Sequence, residues 1–184
     1  MRTFLTGILL SCLALPSFAA KVAGVELPDV IDSQGQSLNL NGAGIRKKWM
    51  FKVYVGALYT QNSSSNAQSI INADETQAIK LVMLRDVAGE KMSAAISEGF
   101  ANVVDINSPE VAKQLSDFSQ TFGDEATEGT VYDFIHVPGQ GLDVLVNGVK
   151  AKQMPGLDFK KTLFSVWLGE KPAQDDLKKD MLGQ

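Results

Sequence analysis

A chain of 184 residues, 45% of them hydrophobic, is one domain's worth of sequence and can bury a sizeable core without covalent staples. Its single cysteine, Cys12, rules out a disulfide framework within the chain. The formal net charge of −4 argues against a nucleic-acid partner, and no segment after the first residues is apolar for long enough to span a bilayer.

The chain opens with Arg2, an apolar run over residues 4–15 that is too short to cross a membrane, and a small-x-small site at Ser17-Phe18-Ala19. This pattern predicts a secretory signal peptide over residues 1–19, cut after Ala19 or, alternatively, after Ala20. A lipoprotein anchored at Cys12 fits less well, because the apolar run continues past that cysteine to Leu15. Cleavage leaves a domain over residues 20–184 with no cysteine and a charge one unit more negative. The expected location is the periplasm or the medium, where stability must come from packing.

Residues 22–27 alternate and stop at Pro28, which reads as a short strand at a sheet edge. Ser33-Gln34-Gly35-Gln36 is turn chemistry, and Leu38 and Leu40 begin a second strand. That strand leads into Gly42-Ala43-Gly44, where the backbone can bend or be approached closely. Beyond the basic Arg46-Lys47-Lys48, residues 49–59 are rich in aromatic and β-branched side chains and read as a long strand. Alternation places Trp49, Phe51, Val53, Val55, Ala57 and Tyr59 on an apolar face expected in the core. Met50, Lys52, Tyr54, Gly56 and Leu58 share a mixed face of the kind that walls a ligand pocket.

Residues 61–66 form a polar loop in which Ser65 or Asn66 can cap a short helix carrying Ile70 and Ile71. Residues 78–86 are apolar on both faces and predict a central strand. From Gly89 the period lengthens: Met92, Ile96, Phe100 and Val103 or Val104 mark an amphipathic helix. Ser108-Pro109 starts another, with Val111, Leu115, Phe118 and Phe122 as its stripe and Gly123 as its end. Residues 130–137, 142–146 and 149–154 predict a meander that turns at Pro138-Gly139-Gln140-Gly141 and at Asn147-Gly148. A helix over 157–168 should bury Leu157, Leu163, Phe164 and Trp167; Gly169 stops it, and Pro172 starts a charged last helix with Leu177, Met181 and Leu182 inward. The order of strands and helices makes the fold α+β, one large antiparallel sheet with helices layered on one face.

Most candidate chemistry falls away on inspection. His136 has no Cys or His cluster around it in sequence, so it reads as a surface or strand-end histidine and no metal site is assigned. Gly139-Gln140-Gly141 lies in a hairpin and opens no helix, unlike a phosphate loop, and no nucleophile motif occurs. Asp124, Glu125 and Glu128 read as a solvated acidic loop. Arg46 and Tyr54 remain: a guanidinium and a phenol beside a greasy cavity suit one carboxylate head group. They can meet only if the chain reverses near Met50; a turn at Lys47-Lys48 would pair Arg46 with Trp49 and part them, and both registers are open.

Three motifs, Ala-Gly-Ile-Arg ending at Arg46, Lys-Val-Tyr ending at Tyr54 and Trp-Leu-Gly-x-Lys-Pro from Trp167 to Pro172, resemble the bacterial, exported branch of the chalcone isomerase-like family. The resemblance covers the chain beyond the leader and implies that family's open-faced β-sandwich. Plant chalcone isomerases add a phenolate to an enone intramolecularly, with a family arginine holding the phenolate, and Arg46 matches that arginine. The resemblance puts Tyr54 where those enzymes carry threonine, Ala88 and Ala95 at their catalytic tyrosine and asparagine, and Val166 at a pocket Thr or Ser. The fatty-acid-binding branch keeps the arginine and a tyrosine in Lys-Val-Tyr, where the two hold the carboxylate. The resemblance therefore implies a non-catalytic protein that binds a fatty acid or similar apolar carboxylate through Arg46 and Tyr54, with no cofactor, no metal and no catalytic residue assigned. An isomerase acting on an enone or phenol through Arg46, and a structural or partner-binding protein with a vestigial pocket, are the alternatives.

Overall fold

The computed structural model describes residues 20–184, and the expected signal peptide, residues 1–19, lies outside them. The described residues begin with a small hairpin of β1 (Ala20–Val22) and β2 (Val25–Leu27), where the sequence suggested one strand. Ala23 and Gly24 both take positive φ, 50° and 90°, which reverses the chain in two residues and splits the alternating run. β3 (Val30–Ser33) and β4 (Gln36–Lys48) follow, turning at Gln34-Gly35 as expected. Next come β5 (Phe51–Thr60), α1 (Ala67–Asn72), β6 (Gln77–Met83) and the short β7 (Val87–Ala88). The helices α2 (Gly89–Ala101) and α3 (Pro109–Ser119) precede β8 (Glu125–Ala126), which pairs with β7. The meander β9 (Val131–Val137), β10 (Gly141–Val146) and β11 (Val149–Met154) then leads to α4 (Gly156–Leu168) and α5 (Asp175–Met181). Among the described residues no helix is long and apolar enough to cross a membrane.

Seven strands form one antiparallel sheet in the order β11-β10-β9-β6-β5-β4-β3, with β6 central as its two apolar faces require. One face packs against the helices through Leu58, Ile79, Leu81, Phe134 and Val144. The other carries Leu38, Val55, Ala57, Tyr59 and Ala78 beneath Leu27 of the first hairpin, and the Tyr59 hydroxyl donates to the Pro28 carbonyl at 3.0 Å. Helices on one face and a small hairpin on the other make an open-faced β-sandwich.

Three local findings differ from the sequence expectation, the first being that the last helix starts at Asp175 rather than at Pro172. α4 is buried on nearly every side, Phe159 and Lys160 included, while Leu157 is only half-buried. The Lys160 ammonium donates to the carbonyls of Ile70, Ile71 and Ala73 at 2.7, 3.0 and 2.9 Å, closing the C-terminal end of α1. His136 stands near the end of β9, one of the two places expected for it, but not at the surface: it is 1% exposed, with Nε2 2.8 Å from the Asp74 carboxylate. An exposed acid on the chain entering β6 supplies its partner, a contact distant in sequence and invisible there.

The glycines at 42 and 44 have a specific reason. α5 lies across β4 so closely that a Cβ on Gly42 would come 2.2 Å from the Asp180 carbonyl oxygen, and one on Gly44 would come 2.4 Å from the Asp180 carboxylate.

Candidate functional site

The register left open by the sequence is settled at the tip of the β4–β5 hairpin. The chain reverses through Trp49-Met50, so Lys48 pairs with Phe51 and Lys47 with Lys52. Plain continuation would set Arg46 opposite Val53; instead the register shifts by one residue and Arg46 pairs with Tyr54. Val53 is the extra residue of a β-bulge, and bulges re-aim the side chains beside them. Val53 and Tyr54 consequently both line the same cleft and pack toward the helices.

The expected division of this strand into two faces is corrected at its start. Trp49 and Met50 belong to the turn and are 92% and 86% exposed, Phe51 is 53% exposed, and Val53 is turned by the bulge toward the helices, so the expected apolar face is fully buried only from Val55. Met50 and Lys52 face water rather than a pocket. Tyr54 and Leu58 do lie on the helix side, as alternation requires.

Between the tip-proximal half of β4 and β5, one side of α2 along its length and the end of α4 lies an open cleft of about 520 Å³. Tyr54, Leu81, Met92, Ile96, Val166 and Trp167 supply its buried wall. Ala88 and Ala95, the positions at which the resemblance expects catalytic groups, line it too. Its rim is mostly cationic, with Lys48, Arg85, Lys91 and Lys171 against Asp86 and Glu98.

Arg46 is half-buried in this wall. Its Nη1 donates to the Lys47 carbonyl and, at 3.2 Å, to Oε1 of Gln174. Gln174, immediately before α5, also accepts from the Lys47 amide at 2.8 Å and donates to the Ile45 carbonyl at 3.3 Å. A single amide side chain thus clips α5 to β4 and orients the guanidinium. Among the described residues no carboxylate forms an ion pair with Arg46.

Tyr54 is 8% exposed, and its hydroxyl accepts from the Trp167 indole Nε1 at 2.9 Å. Burial raises the phenol pKa above its ordinary value of 10.0, although the Trp167 N–H and the neighbouring Arg46 charge pull the other way. At neutral pH the phenol keeps its proton. The arrangement is a fixed cation beside a neutral hydroxyl donor, facing an apolar wall, which is the chemistry of a receptor for an anion with a greasy body.

Two parts of this arrangement were missed in the sequence. The apolar ring of Trp167 is in the core as the sequence implies, but its N–H also holds the phenol. Gln174 carries no signal at all, being 128 residues from Arg46. Among the described residues no group of three or more His, Cys, Asp or Glu side chains is placed to hold a metal ion.

A family model described as chalcone isomerase-like matches residues 19–183. No curated protein matches the chain significantly by sequence. Among solved structures, a fatty-acid-binding protein of Arabidopsis thaliana superposes with a TM-score of 0.70 at 15% sequence identity, over 89% of this chain and 95% of that one. At that identity the likeness is one of fold.

Proposed function

The chain belongs to the chalcone isomerase-like family, and on that footing we propose that it is an exported, non-catalytic binding protein for a fatty acid or similar apolar carboxylate. Arg46 and Tyr54 take the head group, and the wall of Met92, Ile96 and Val166 takes the hydrocarbon. The observation that carries this reading is a guanidinium without a carboxylate partner among the described residues, set cross-strand from a buried, protonated phenol at the wall of one cleft. A volume of about 520 Å³ lies within the range of about 300–1,000 Å³ typical of small-molecule sites. Ala88, Ala95 and Val166 offer no hydrogen-bonding group for charge developing in a reaction, which favours holding a ligand over transforming it. The fold shared with a plant fatty-acid-binding protein supports the same choice.

Lipid extraction of the purified protein, read by mass spectrometry, should recover an apolar acid. Arg46→Ala should weaken fatty-acid affinity about 10- to 100-fold, and Tyr54→Phe about fivefold, from the usual worth of charged and neutral hydrogen bonds. An empty protein whose weak affinity is the same in both variants overturns the proposal. Turnover of a chalcone above the buffer rate, lost in Arg46→Ala, replaces binding with isomerisation.

A further inference from the structure

The tip of the β4–β5 hairpin exposes three consecutive large apolar side chains, Trp49, Met50 and Phe51, at 92%, 86% and 53%. The other exposed large hydrophobics among the described residues, Val30, Val103 and Val149, stand singly. Trp49 also holds a φ of 60° in a two-residue turn, a conformation that suits Gly, Asn or Asp and strains a bulky aromatic. Packing does not explain the tryptophan, because it touches mostly water. Strain kept at an exposed position points to something outside the chain.

The surroundings of the tip indicate what that is. Lys47, Lys48 and Lys52 flank it, all exposed, and the Arg85 guanidinium lies 4.7 Å over the Phe51 ring. None of these four cations forms an ion pair with a carboxylate among the described residues. They are gathered at one end of a chain whose net charge is −4. Trp and Phe settle at the head-group level of a bilayer, and lysines beside them gain from anionic lipid phosphates.

We propose that the Trp49-Met50-Phe51 tip, with its collar of Lys47, Lys48, Lys52 and Arg85, docks on the surface of an anionic phospholipid bilayer. Lys48, Trp49 and Phe51 also line the cleft, so docking brings the cleft's mouth against the lipid. What crosses that contact rests on the fatty-acid reading, since an acid in a bilayer presents its carboxylate at head-group level; the docking itself does not depend on it.

The test uses the purified protein with vesicles of phosphatidylcholine alone or mixed with phosphatidylglycerol. Co-sedimentation is expected with the anionic vesicles only and should fade as salt rises. Brominated acyl chains should quench the exposed Trp49 and spare Trp167, which is 2% exposed; a Trp49→Phe variant identifies the quenched residue. Lys47→Glu and Lys52→Glu should each lower vesicle binding at least about fivefold. Met50→Asp should abolish it while leaving fatty-acid affinity in vesicle-free solution unchanged.

No sedimentation with anionic vesicles, or sedimentation without quenching of Trp49, overturns the proposal. So does a protein dimer that Met50→Asp dissolves in the absence of any vesicle binding, which would make the tip a contact between copies. Vesicle docking by a protein that binds no apolar acid leaves this inference standing and removes the function proposed above.

Discussion

Tyr54 joins packing to the proposed head-group site through a single oxygen, which accepts from Trp167 and lies beside Arg46. Tyr54→Phe removes that acceptor and leaves a buried indole N–H unpaired, so a stability loss of about 1–3 kcal/mol should accompany the weaker ligand affinity, measurable by urea titration. Because the phenol's pKa is raised above 10.0, its proton is retained through neutral and mildly alkaline pH. Affinity for a fatty acid should therefore be level from about pH 7 to 9 and fall in acid, near the ordinary carboxylate pKa of about 4–5, as the ligand loses the charge Arg46 reads. The same shift makes the Tyr54 contribution to stability full below pH 10 and lost above it, since the unfolded phenol ionises first. Lys160 answers to a different environment: burial lowers its pKa to about 8, with Asp74 opposing, so it is still charged at neutral pH and bonded to three carbonyls. Replacing it in Lys160→Met strips the end of α1 of its donors, and denaturation should show a loss of about 2–4 kcal/mol.

The β4–β5 hairpin, α4 and α5 differ in how much of them could be read in advance. Gly42 and Gly44 announced a close approach, and α5 is what approaches. In Gly42→Ala the new methyl meets backbone, which cannot turn aside as a side chain can, so α5 must lift and Gln174 with it. Thermal denaturation should show a drop of several degrees, on the order of 1–3 kcal/mol, and fatty-acid affinity should fall because Arg46 loses the amide that orients it. The bulge at Val53 had no such announcement. Alternation is a rule for regular strands, and one inserted residue changes which side chains share a face without changing composition. Four buried side chains were expected of α4, yet α1, α2, α5 and β10 surround it and bury most of its residues; a helix enclosed in this way shows only a weak polar side for periodicity to reveal.

Across the molecule, the acidic excess and the cationic rim are parts of one charge distribution. An overall negative chain that collects Arg46, Lys48, Arg85, Lys91 and Lys171 about one cleft steers anions there and repels them elsewhere. The fold class, the central position of β6, the turns at Gln34-Gly35 and Asn147-Gly148 and most helix boundaries were legible because they depend on contacts close in sequence and on a two-way choice between inside and outside. The family motifs likewise named Arg46 and Tyr54. What distant contacts supply could not be read there: the bulged register that makes those two neighbours, the Trp167 and Gln174 groups that hold them, the burial of His136 against Asp74, and the exposure of Trp49 at a strained turn. Each depends on which segments the folded chain brings within a few ångströms, and local composition carries no record of that choice.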